Sequence, residues 1–235
     1  MMQRRTFLHA FTAAVIGLAV PARAADEWDL LTEAAYRAPT TARARALLSQ
    51  ARTDADAALR RNPADHEAAI RQAVAAAWGA MLSGGIGPAR EARRLIQAQI
   101  TAQPNNVEAY LAMGAWHIEA VRRVGMLAGP AIGASRKAGN AALDRAVALG
   151  GRRALPSAYA ALLRASSGEG KSAGGRAAVL ALARSAAQGT TPTGLDTIMR
   201  ANARRFADAL ANPRADAAQV AERLLPFAHL AEQRS

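Results

Sequence analysis

Few side chains in this chain are equipped to make or break bonds, and they do not converge. There are four histidines, His9, His66, His117 and His229, and no cysteine. Asp65, His66 and Glu67 together have the donor types of a metal site. Sequence neighbours on a helix point in different directions, however, and no second histidine follows four residues on. His117 follows Trp116 and lies one turn after Met113, company that predicts a packed, hydrogen-bonded core histidine. Gly170-Lys171-Ser172 ends like a phosphate loop, but Ala165 stands where its first glycine belongs and no strand precedes it. No nucleophile elbow, zincin helix or dinucleotide loop is present. The lack of cysteine excludes disulfides, thiolate metal sites and cysteine nucleophiles. The expectation is a chain with no catalytic residues, no metal and no cofactor, whose chemistry is binding.

The elements that would position a binding surface are helices. Alanine makes up roughly a quarter of the 235 residues and aromatics only 4%. Alanine is the best helix former and lets helix backbones approach closely. No segment alternates with the period of two that a half-buried strand requires. Pro and Gly punctuate the chain into helices over about 26–37, 41–62, 64–82, 88–103, 105–124, 135–149, 155–166, 173–188, 193–211 and 214–232, the last interrupted by Pro226. Gly168 to Ser172 reads as a turn or flexible loop.

The net charge is +12, carried almost wholly by arginine. The basic residues are scattered rather than clustered, which argues against a nucleic-acid partner. Residues 1–24 read as an address: Gln3-Arg4-Arg5-Thr6-Phe7-Leu8, an apolar run from Ala10 to Val20, then Pro21-Ala22-Arg23-Ala24. Paired arginines followed by Phe-Leu resemble the twin-arginine export signal, with cleavage expected after Ala24, although an uncleaved anchor is the alternative. No later stretch is apolar enough to span a bilayer, so the expected location is the periplasm.

Internal repetition organises the remainder, residues 25–235. Asn62-Pro63-Ala64-Asp65-His66-Glu67-Ala68 and Gln103-Pro104-Asn105-Asn106-Val107-Glu108-Ala109 mark equivalent boundaries between helices, about 40 residues apart. Tyr110, Met113, Gly114 and His117 match the first-helix slots of the tetratricopeptide pattern. Ala51, Ala55 and Ala58, and again Ala92 and Ile96, match its second-helix slots. The chain therefore resembles a degenerate tetratricopeptide protein: an all-α, antiparallel helix-hairpin array, a solenoid of about three to four repeats plus C-terminal helices. Met113 to Ala120 together with Ala141 to Leu149 is also similar to the divergent repeats of the regulator of microtubule dynamics family. The same residues resemble the periplasmic T-component that accompanies some TRAP transporters. Those likenesses imply a helical-repeat fold and a scaffold or ligand-associated role without catalysis. T-components are typically lipid-anchored, and the cysteine for that is absent here.

Repeat logic assigns the inner surface to the first helix of each hairpin. Tyr36, Trp78, Leu111, Ile118 and Glu119 fall on that surface, with Ile70 and Val74 beside them. Trp78 is the leading anchor, since aromatics dominate binding hot spots, with packing under Gly84-Gly85 as its alternative role. Arg122-Arg123 and Arg152-Arg153 are either a basic rim or compensation for helix ends. The expected function is an exported scaffold that binds a protein or peptide in a transport or envelope complex. The alternative is a small-molecule-binding accessory of an envelope transporter, with a pocket near Trp78, Tyr110 and Trp116. A third reading, an enzyme with an unrecognised site, lacks any convergent His, Asp and Ser set.

Overall fold

A computed structural model describes residues 28–128 and 132–232. The export signal read over residues 1–24 lies outside the described residues. Among the described residues eleven α-helices follow one another: α1 Asp29–Tyr36, α2 Thr41–Arg61, α3 His66–Ser83, α4 Ile86–Ala102, α5 Val107–Ala128, α6 Arg136–Gly150, α7 Ala154–Ser166, α8 Ala173–Ala187, α9 Gly194–Ala209, α10 Ala217–Glu222 and α11 Ala228–Glu232. There is no strand among the described residues. A single bridge between Arg153 and Thr190 ties the α6–α7 and α8–α9 connections together. No described helix is long and apolar enough to cross a membrane.

The repeated boundaries seen in the sequence form the same turn twice. The Asp65 amide donates to the Asn62 carbonyl at 3.0 Å, and the Asn106 amide to the Gln103 carbonyl at 3.0 Å. Pro63 and Pro104 occupy the second turn position, where their fixed φ fits. The side chains of Asp65 and Asn106 then accept from the Ala68 and Ala109 amides, both at 2.9 Å, so one capped turn launches both α3 and α5. Thr40, Ser135, Ser172 and Thr193 cap α2, α6, α8 and α9 in the same way. Helix α4 starts two residues earlier than Pro88 suggests. Gly84 and Gly85, at φ of 74° and 95°, make the chain reversal, and Pro88 then sits within the first turn, where no intrahelical donor is needed. Gly168–Ser172 forms a 3-10 turn over Glu169–Lys171, and the Ser172 hydroxyl caps α8.

From α1 to α10 each helix packs on the next. In addition α3 meets α5, α5 meets α7, and α7 meets α9, which puts α3, α5, α7 and α9 side by side in one layer. Alanine is what makes the spacing small: Ala34, Ala35, Ala44, Ala73, Ala92, Ala109 and Ala146 are completely buried or nearly so. Gly114 on α5 faces Gly139 on α6, and a Cβ on Gly114 would come within 2.7 Å of Leu143 and 3.1 Å of the Gly139 carbonyl. Two apolar cores result, one over α1–α5 joined by Ala142, Phe227 and Leu230, and one over α5–α10, with α5 supplying side chains to both.

The two ends of the array meet. The Tyr36 hydroxyl on α1 donates to Met199 Sδ on α9 at 3.2 Å. Pro226 divides the last helical segment, as its position in the sequence requires. The chain beyond it returns to the start: the Phe227 amide donates to the Ala35 carbonyl at 2.8 Å, and His229 Nε2 lies 2.8 Å from the Ala38 carbonyl.

Candidate functional site

Helix α5 carries a stripe at Glu108, Leu111, Ala112, Ala115, Trp116, Glu119, Ala120 and Arg123, and all of these line one cavity. The spacing is that of a single helix face. From Glu108 to Arg123 the stripe covers about 22 Å of axis at about 1.5 Å per residue. The cavity is therefore elongated and half-enclosed, with a volume of about 340 Å3. Val74, Ala77, Trp78 and Met81 of α3 form one wall, and Leu155 and Tyr159 of α7 the other. Gly84, Gly85, Ile86 and Ala89 close the end near the α3–α4 turn. The chain has three tryptophans, and Trp28, Trp78 and Trp116 all face this space. Small alanines along α5 leave the room, and the tryptophans give it an aromatic lining.

Each tryptophan is held in place. The Trp28 indole donates to Glu67 Oε1 at 2.6 Å, which joins the start of α1 to the start of α3. The Trp116 indole donates to the Ala89 carbonyl at 2.7 Å, and the Arg93 guanidinium lies over its ring at 5.3 Å. Trp78 meets the Phe227 ring edge-on, with centroids 5.8 Å apart at 89°. His117, directly behind Trp116, is buried, and its Nδ1 accepts from the Ser135 amide at 3.2 Å. Burial, with the Arg93 charge adding to it, pushes the His117 imidazole down to about 4, so it is neutral at physiological pH. It is the packed, hydrogen-bonded histidine that its sequence context predicts.

Charge is confined to the two ends of the α5 stripe. At the first, Arg153 reaches Glu108 at 2.7 Å and the fully buried Asp196 at 3.2 Å. Asp196 also accepts from the Leu155 amide at 3.0 Å and the Thr193 hydroxyl at 2.8 Å. Burial disfavours the Arg153 charge, but the two carboxylates overcome this and raise its pKa. At the second end the buried Glu119 holds Arg122 at 2.6 Å and Arg123 at 3.9 Å, all through Oε2. Between these ends Tyr159 is the polar group on the wall. Burial and the Glu119 charge raise its pKa, so the phenol stays protonated. The site presents aromatic faces, with its lining charges Glu108, Glu119, Arg123 and Arg153 in ion pairs at the two ends. Its lining is mainly apolar.

The residues singled out from sequence divide. Trp78, Leu111 and Glu119 line the cavity, and so does Val74. Tyr36 and Ile118 do not. Tyr36 is turned into the α1–α9 contact, where burial raises its pKa well above the ordinary value. Ile118 packs in the second core, 1% exposed, against Gly139 of α6. Ile70 is likewise fully buried. Of the trio proposed for a small-molecule pocket, Trp78 and Trp116 are present, but Tyr110 lies outside with Arg145 over its ring. The basic pairs contribute one member each, Arg123 and Arg153, and both are matched to acids rather than forming an open rim. Trp28, Tyr159, Leu155 and Thr193 were not assigned to a site by the sequence. The α5 residues among the lining were recoverable in principle, since Glu108, Leu111, Ala115, Glu119 and Arg123 follow one helical stripe. No family model, no curated protein and no solved structure matches this chain.

Proposed function

We propose that this chain is an exported, non-catalytic binding protein of tetratricopeptide-like build that holds an elongated, mainly apolar small molecule along α5. The observation that carries the reading is the concentration of all three tryptophans, with Tyr159, around an apolar cavity whose charges are already paired. Ligand sites are typically concave, largely apolar and furnished with a few polar groups at fixed places. The paired charges at the ends would orient a polar terminus without making the site strongly selective for charge. With the twin-arginine-like leader, this supports a periplasmic accessory that carries or hands over such a molecule for an envelope transporter.

A protein or peptide partner is the second reading, and the C-terminal segment favours it in one respect. Residues 226–230 lie against α1 and α3 much as a bound peptide would. The same segment also covers that surface, which is why the small-molecule reading stands first.

The test is to express the chain with its leader and purify the mature protein from the periplasm. Native mass spectrometry, with organic extraction of the purified protein, then follows. The expected result is export that fails when Arg4 and Arg5 are both changed to lysine, and a co-purifying apolar compound at about one per chain. A protein that is not exported, or one that carries no compound and shows no thermal shift across a panel of elongated amphiphiles, would end this reading.

A further inference from the structure

Trp78 is shared between two features. Its indole lines the cavity. The same indole meets the Phe227 ring of the returning C-terminal segment at 5.8 Å and 89°. Phe227 is itself unusual. It is the one described non-glycine residue with positive φ, at 66°, a left-handed conformation that a bulky side chain rarely adopts. Such strain persists only where surrounding contacts over-determine it. Here they are the amide bond to the Ala35 carbonyl, the ring contact with Trp78, the burial of Pro226, Phe227 and Leu230, and the His229 contact with the Ala38 carbonyl. The backbone of residues 226–230 is thus bent to deliver one ring to one tryptophan. Its polar contacts are to the Ala35 and Ala38 carbonyls, which any side chains there would offer, while Phe227 and Leu230 join the first apolar core. Phe227 against Trp78 is its contact with the cavity wall.

We propose that residues 226–230 are a strap whose docking on α1 and α3 is coupled to occupation of the cavity, with Phe227 acting as a positioning residue for Trp78. The docked strap holds the indole upright as a finished cavity wall. An occupant packing on the indole, in turn, holds the strap down. Coupling of this kind is reciprocal: whatever factor the strap adds to ligand affinity, the ligand adds to strap docking. This rests on the cavity being the binding site.

The experiment uses the mature chain and parinaric acid, an elongated apolar carboxylate that fluoresces in an apolar site and accepts energy from tryptophan. Wild type, Phe227→Ala and Phe227→Tyr are titrated with the probe. Hydrogen exchange at the Phe227 amide is followed in wild type with and without saturating probe. The expected result is a roughly tenfold weaker affinity for Phe227→Ala at unchanged helix content, recovery by Phe227→Tyr, and slower exchange at the Phe227 amide when the probe is bound. If wild type takes up no probe, the cavity reading falls and the coupling falls with it. If wild type binds but Phe227→Ala binds equally well, or the probe leaves exchange at Phe227 unchanged, the coupling alone is overturned. The exchange measurement on wild type decides the matter even where Phe227→Ala folds poorly.

Discussion

Filling the cavity with the protein's own side chain separates an empty binding space from a loosely packed seam. Ala112 sits mid-stripe on α5, is only partly buried, and lines the cavity together with Trp78 and Tyr159. Ala112→Leu adds three carbons pointing into a space of about 340 Å3, so there is room for them without displacing a neighbour. At about 0.8 kcal/mol per buried methylene the gross gain is about 2.4 kcal/mol. Fixing the leucine rotamers costs about 0.5–1 kcal/mol. The net gain is about 1.5 kcal/mol, which at about 2–4 °C per kcal/mol raises Tm by about 3–6 °C. The same leucine removes volume a ligand needs, so parinarate affinity falls by roughly tenfold or more, each 1.4 kcal/mol of lost contact being about a factor of ten. Ala178 on α8 is exposed, and Ala178→Leu should change neither quantity. Urea unfolding, a thermal melt and a probe titration on the three proteins give the answer. A variant that melts below wild type would show overpacking, which costs about 1–3 kcal/mol. A variant that melts higher but binds the probe as wild type does would place the ligand elsewhere.

Gly114→Ala should lose about 1–2 kcal/mol by urea unfolding, because its Cβ would press on the buried Leu143 and the Gly139 carbonyl. Gly79→Ala on α3, where nothing lies within 4 Å, should gain about 0.5–1 kcal/mol from helix propensity alone. His117 makes stability pH-dependent. Its folded value of about 4 lies below the ordinary 6.5, so on acidification the unfolded chain takes the proton first. Its contribution is complete above 6.5 and is lost as pH falls through 4; from about pH 7 to about pH 5 the loss is about 2 kcal/mol. His117→Gln should show a smaller fall in denaturation midpoint over that range. Asp196→Ala, which strips Arg153 and the Leu155 amide of a fully buried acceptor, should cost about 3 kcal/mol in the same assay.

Helix boundaries were legible in the sequence because each is a local event with a local cause. A proline in a turn, a capping Asp, Asn, Ser or Thr, or a glycine at positive φ acts on its immediate neighbours. The match of Asn62–Asp65 with Gln103–Asn106 was visible for the same reason, since one turn chemistry is written twice. Gly114 was legible too: a glycine in a helix interior costs stability unless a partner backbone needs the space, and Gly139 supplies that partner. His117 followed from the apolar residues one turn away.

The cavity was only half legible, and alanine explains why. In a chain this rich in alanine, a small residue at a helix face is equally consistent with a close helix contact and with an unfilled space. Ala109 and Ala112, one turn apart on α5, show both outcomes: Ala109 is fully buried in the first core, while Ala112 faces the opening. What separates them is the position of α3 and α7 relative to α5, a tertiary quantity with no local signature. Tyr36 and Ile118 lie away from the cavity on the same account. The α1–α9 contact that claims Tyr36 and the Gly114–Gly139 approach that draws Ile118 onto α6 are both tertiary. The large residues told more. A tryptophan that must satisfy its indole while presenting a wide apolar face has few homes in a protein of thin helix contacts. The bonds from Trp28 to Glu67 and from Trp116 to Ala89 satisfy the indole nitrogens while both rings line the space. Where alanine sets the architecture, the few bulky residues define the cavity, and Trp78, which both lines it and packs against Phe227, is the residue on which the proposed binding and the proposed strap depend together.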